Sequence, residues 1–168
     1  MSELAGPELP DGLTADRRSI LIDLCRLWLR LSDFRFGQVL RYTTVPPVRQ
    51  ASKISDEILR NGLNAALEQV PDRPLPDAPY WDTETRGRGA FLNGQPRDPA
   101  RIPELLSAFA GAWIGHPDRS PGQLLELSLD RARIPENEFG TRWMLIEDAP
   151  LRRALQALTA TNEKRGLP

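Results

Sequence analysis

The strongest constraint on how this chain can fold is an internal echo: Trp28-x4-Asp33-x3-Gly37-Gln38-x-Leu40 recurs as Trp113-x4-Asp118-x3-Gly122-Gln123-x-Leu125. The positions stay 85 apart throughout, from 28 and 113 to 40 and 125. At the same spacing Ile20 meets Leu105, Leu24 meets Phe109 and Leu27 meets Ala112, so the apolar stripe ahead of the motif is repeated with it. A second block follows 92 residues apart, pairing Ile54, Asp56, Leu59, Arg60 and Leu63 with Ile146, Asp148, Leu151, Arg152 and Leu155. Self-similarity on this scale points to one supersecondary unit used twice.

Spacing makes that unit helical. Ile20, Leu24, Leu27, Trp28 and Leu31 recur with helical periodicity while charged residues take the other faces, and Thr14 stands where an N-cap is needed. A short helix carrying Gln38 and Leu40 must end before Val45-Pro46-Pro47, because proline cannot continue the hydrogen-bond ladder. A third helix is expected over residues 56–69, and further helices over about 102–114, 121–129 and 149–161, with a short strand at 143–146. Prolines 71, 74, 76 and 79 interrupt the pattern, and the Asn93-Gly94 pair predicts a tight β-hairpin over 89–96. The expected architecture is mainly α: a tail over 1–13, a three-helix repeat over 14–70, a Pro-rich connector with hairpin over 71–100, and a second repeat over 101–164. Each repeat is too small to bury enough surface alone, so the two should share one core with pseudo-two-fold symmetry.

The repeated residues have structural readings. Trp28 and Trp113 end the stripe and fill the joint with the next helix, Asp33 and Asp118 cap that helix, Gly37 and Gly122 allow close packing, and Gln38 and Gln123 bridge backbone groups at the junction. At these residues the chain resembles small bacterial helical proteins of the YihD-like family. The resemblance rests on Trp28, Asp33-Phe34, Gln38-Val39-Leu40 and Ser55-Asp56-Glu57-Ile58-Leu59, and on Trp113, Pro117-Asp118 and Gln123-Leu124-Leu125. Ser32 stands where that pattern has proline, and Arg119 where it has a hydrophobic residue. The resemblance implies a helical module and carries no catalytic residue. Gly89 to Pro96 also resembles a hairpin of inositol monophosphatase-like enzymes, but the acidic metal motifs of that family are missing from the sequence.

Composition narrows function mostly by exclusion. A formal net charge of -1 offers no general attraction to nucleic acid or to anionic membranes. The longest apolar stretch falls short of a membrane span, and the single cysteine, Cys25, excludes an internal disulfide and fits a reducing, cytoplasmic setting. The sequence contains no phosphate loop, nucleophile elbow, zinc helix or calcium loop, so no metal or cofactor is expected. The remaining reading is a non-enzymatic accessory or regulatory protein that binds another protein, with Arg35, Phe36, Tyr42, Tyr80, Trp81, Arg88 and Phe91 as candidate contacts. One alternative is nucleic-acid binding through Arg86, Arg88 and the arginines of residues 14–70, where nine Lys or Arg face six Asp or Glu. Another is an enzyme built on the single histidine, His116.

Overall fold

In a computed structural model, which describes residues 4–44, 48–78, 80 and 97–164, the protein is mainly α. Its helices are α1 (Ala15–Arg30), α2 (Phe36–Thr43), α3 (Asp56–Gln69), α4 (Arg101–Ile114), α5 (Pro121–Arg131), α6 (Arg142–Leu145) and α7 (Asp148–Lys164), with a 3-10 turn at Ala51–Lys53. Thr14 caps α1 by accepting from the Arg17 amide at 3.2 Å, and Ser55 caps α3 by accepting from the Ile58 amide at 3.1 Å. No helix among the described residues is long and apolar enough to cross a membrane.

Two sequence expectations change. Residues 143–146 are not a strand: α6 is a helical turn closed by the Ile146 amide on the Arg142 carbonyl at 3.0 Å. Four mainly apolar residues cannot distinguish the two periods, and Trp143 decides by burying its ring while its Nε1 donates to the Arg49 carbonyl at 3.0 Å. No strand occurs among the described residues, and the hairpin expected at 89–96 lies outside them. Asp33 and Asp118 are not caps either, since both are exposed and the helices start later. Ser120 caps α5 by accepting from the Gln123 amide at 3.2 Å, while the first amide of α2, on Phe36, donates to Asp148 Oδ1 at 2.9 Å.

Helix α1 packs on α3 and α4, α4 on α7, α2 on α3 and α6, and α5 on α7 and the 3-10 turn. One contiguous apolar core results. Through it runs a chain of rings, Trp28 to Phe36 at 5.4 Å, Phe36 to Phe109 at 5.5 Å and Phe109 to Trp113 at 5.5 Å. Each such pair adds about 0.5–1.5 kcal/mol beyond its area burial. Both end indoles also satisfy their polar atom. Trp28 Nε1 donates to the Phe34 carbonyl at 2.8 Å, and Trp113 Nε1 to the Arg119 carbonyl at 2.9 Å, in each case six residues along.

The repeated glycines and glutamines mark where the backbone crosses itself. A Cβ on Gly37 would overlap the Trp143 carbonyl oxygen, and one on Gly122 would overlap that of Ala51, so α2 lies directly against α6 and α5 against the 3-10 turn. Gln38 Oε1 accepts from the Arg35 amide at 2.8 Å and Gln123 Oε1 from the Ser120 amide at 3.0 Å. They are the reaching-back partners of a capping box, local to each helix start.

Candidate functional site

The densest polar chemistry is buried where α2, α4 and α7 meet. Arg101, in the first turn of α4, donates from Nε to Asp148 Oδ2 at 2.7 Å and from Nη2 to the carbonyls of Ser32 (2.6 Å) and Phe34 (2.9 Å). Beside it Glu147 receives Arg35 Nη1 at 3.4 Å and Arg97 Nη2 at 3.3 Å. Burial raises the Glu147 carboxyl above the usual carboxylate range, against the pull of Arg97 and Arg35. Burial likewise lowers Arg101, opposed by Asp148, yet a guanidinium in that position keeps its charge. Both oxygens of Asp148 are engaged, one by Arg101 and one by the Phe36 amide. This constellation fixes helix starts to one another; it is a joint and offers no open nucleophile.

A second joint has the same parts. Arg17 binds Asp56 at 3.0 Å, donates to the Arg119 carbonyl at 3.0 Å and lies 4.2 Å over the ring of Trp113, as Arg101 lies 5.5 Å over Trp28. Each arginine therefore covers the tryptophan of the other motif. Sequence comparison found Asp56 and Asp148 but not the arginines, because 17 and 101 are one residue out of the 85-residue spacing.

The expected contact residues separate. Arg35 and Phe36 are corrected outright, being 3% and 0% exposed: Phe36 is the middle of the aromatic chain, and Arg35 serves Glu147 and the Met144 carbonyl. Tyr42 and Tyr80 are exposed. Trp81, Arg86, Arg88 and Phe91 lie outside the described residues. His116 Nδ1 is 3.0 Å from the Ala112 carbonyl and 3.4 Å from Asn162 Nδ2, at the end of α4, while Asp118 is exposed. Cys25 is buried, and desolvation pushes its thiol up to about 11. Among the described residues no cluster of His, Cys, Asp or Glu is suited to a metal ion.

Six of the nine basic residues in 14–70 are engaged within the fold. Arg17 and Arg35 serve the joints, Arg18 holds the Leu9 and Pro10 carbonyls, Arg26 pairs with Asp23, Arg30 with Asp72, and Arg60 with Asp16. Arg41, Arg49 and Lys53 have no ion-pair partner among the described residues. A groove of about 290 Å³ opens between α2 and α3, lined by Tyr42, Ile58, Gly62, Ala65 and Ala66 with Asn61 and Gln69. Its floor is close to the backbone because a Cβ on Gly62 would overlap the Thr43 carbonyl. Sequence reasoning found Tyr42 but missed Ile58, whose helical spacing assigned it to the core. No protein-family model matches the chain, and neither a curated protein nor a solved structure is found to be similar to it.

Proposed function

We propose that the chain is a tandem duplication of a YihD-like helical module closed about a pseudo-two-fold axis, and that it acts without catalysis, as an accessory or regulatory protein that binds another protein. The duplication is supported by the paired indole bonds, by Gly37 and Gly122 each meeting the other copy's turn, and by Arg17 and Arg101 crossing to the other copy's tryptophan. The binding reading rests on the groove between α2 and α3. Tyr42 and Ile58 are 43% and 37% exposed at its edges, over a floor of glycine and alanine. An amphipathic aromatic beside an apolar trough of small residues is the composition that accepts a helix or peptide side chain. The arginines of the first copy speak against phosphate as the ligand, because most are occupied internally and binding would have to break those bonds.

The test is photo-crosslinking in cells from a benzophenone amino acid at Tyr42, at Ile58 and, as an exposed apolar control, at Ile22. A common protein adduct from the first two and not from Ile22 is the expected result. Nucleic acid in the adducts, or no reproducible adduct from Tyr42 and Ile58, would overturn the reading.

A further inference from the structure

We infer that residues 4–13 are a displaceable strap, held in cis over a groove on α1 that accepts an extended, leucine- and proline-bearing segment of a partner protein. Prolines 7 and 10 keep this stretch out of helix and strand, and no main-chain hydrogen bond joins it to the helices among the described residues. Its path is nevertheless fixed. Leu9 and Pro10 lie beside Arg18 in the first turn of α1, and Leu4 lines a cavity with Arg26, Leu29 and Arg30 near its last turn. Leu4 to Leu9 covers about 17 Å as extended chain and Arg18 to Leu29 about 17 Å as helix, so the strap runs extended and antiparallel to α1. Beyond Pro10, Gly12 meets the Ile114 side chain, where an added Cβ would lie 3.0 Å from it.

The grip is one that another chain could satisfy. Leu9 and Leu13 are half-buried against the core, and Arg18 donates from Nη1 to the Leu9 carbonyl at 3.3 Å and from Nη2 to the Pro10 carbonyl at 2.7 Å. Glu8 and Asp11 are exposed and make no ion pair among the described residues. The groove therefore reads leucine side chains and free main-chain carbonyls. Prolines hold such a segment extended beforehand, so docking costs little further order. The strap also underfills its seat. A cavity of about 410 Å³ stays open beside Leu4, against Leu29 and Leu75, and Ile22, four residues on from Arg18 along the same face of α1, is 44% exposed. A segment with a larger apolar residue in place of Leu4 would bury that surface, which offsets the strap's advantage of being tethered. Few buried contacts and no hydrogen-bond ladder mark a segment that opens before the helices do. This seat shares no lining residue with the groove between α2 and α3, and it takes a different segment.

The test is fluorescence anisotropy of a labelled peptide of residues 4–14 titrated with the full chain. The strap in cis competes with the peptide, so loosening the strap frees the groove. A full chain carrying Leu9→Ser with Leu13→Ser should bind the unaltered peptide at least about tenfold more tightly than the parent does, and Arg18→Ala added to that pair should abolish the gain. A Leu4→Phe peptide should bind more tightly than the unaltered one. In the otherwise unaltered full chain, Arg18→Ala alone should speed cleavage after Glu8 by a glutamate-specific protease, with the helical circular dichroism unchanged. No gain on loosening the strap, binding indifferent to Arg18, a Leu4→Phe peptide that binds no better, or unchanged cleavage after Glu8 would overturn the inference. So would a parent that sediments as a dimer and reverts to monomer with Leu9→Ser and Leu13→Ser, since the groove would then belong to the strap of a second copy.

Discussion

Arg101 and Asp148 form a 2.7 Å ion pair between the first turns of α4 and α7, with side chains 9% and 2% exposed. Its counterpart, Arg17 with Asp56 at 3.0 Å, is 15% and 29% exposed. Water solvates the second pair and not the first, so equivalent chemistry should carry unequal weight. Asp148→Ala would strand a buried guanidinium and leave the Phe36 amide without its acceptor, at a cost of about 3–5 kcal/mol. Asp56→Ala should cost about 1 kcal/mol or less. Urea denaturation of both variants checks this, and similar losses would contradict it.

The repeated glycines give a test in which one substitution changes sign with position. Gly37→Ala and Gly122→Ala force a methyl group into a facing carbonyl and should each destabilise by about 1–3 kcal/mol or more. Gly111, inside α4, has only the Thr159 side chain nearby, with Oγ1 at 3.3 Å. Gly111→Ala should be neutral or stabilise by up to about 1 kcal/mol, through helix propensity. Melting temperatures that moved together in all three variants would mean that the close approaches are not constraining.

Glu147 makes stability depend on pH. Burial raises its carboxyl above the unfolded value, so the native state holds this proton more tightly than the unfolded chain does. The group therefore favours folding at low pH, and that contribution is lost as pH rises through the raised value. Glu147→Gln carries no such proton. The stability of the glutamine variant relative to the parent should rise between pH 4 and pH 8 (roughly the span around the carboxylate range), read from urea midpoints at several pH values. A difference that is flat, or that falls with pH, would show that Arg35 and Arg97 outweigh desolvation.

Cys25 should resist thiol reagents in the native protein. With its thiol at about 11, roughly one group in a thousand is ionised at pH 8, and the side chain is only 4% exposed. Labelling by a disulfide reagent should track global unfolding and accelerate in urea. Rapid modification of the folded protein would disprove the packing described for α1.

The helices could be read from the sequence because their causes are local. Thr14 caps where spacing predicts, the third helix spans the expected 56–69, and Leu24, Leu27 and Trp28 point inward as their periodicity requires. The errors share a different cause. Arg35 and Phe36 look like surface contacts until Glu147 and Asp148 arrive from 112 residues away. Asp33 resembles a cap, but α2 begins only at Phe36, with the Arg35 amide held by Gln38. Trp143 sits in a run too short for a period to show, and its ring is fixed by Arg49, 94 residues earlier. At the groove between α2 and α3, an apolar residue on a helix such as Ile58 is assigned inward by default, and nothing in its neighbours reveals that it stays 37% exposed.

The ring chain from Trp28 through Phe36 and Phe109 to Trp113 has a consequence for biosynthesis. Half of it is made early and half late, and the first amide of α2 waits for a carboxylate 112 residues downstream. At about 5–20 residues per second, that is on the order of ten seconds during which the emerging N-terminal half carries Trp28 and Phe36 without the surfaces that cover them. Until α7 has been made, the N-terminal half therefore exposes apolar surface that the finished fold buries.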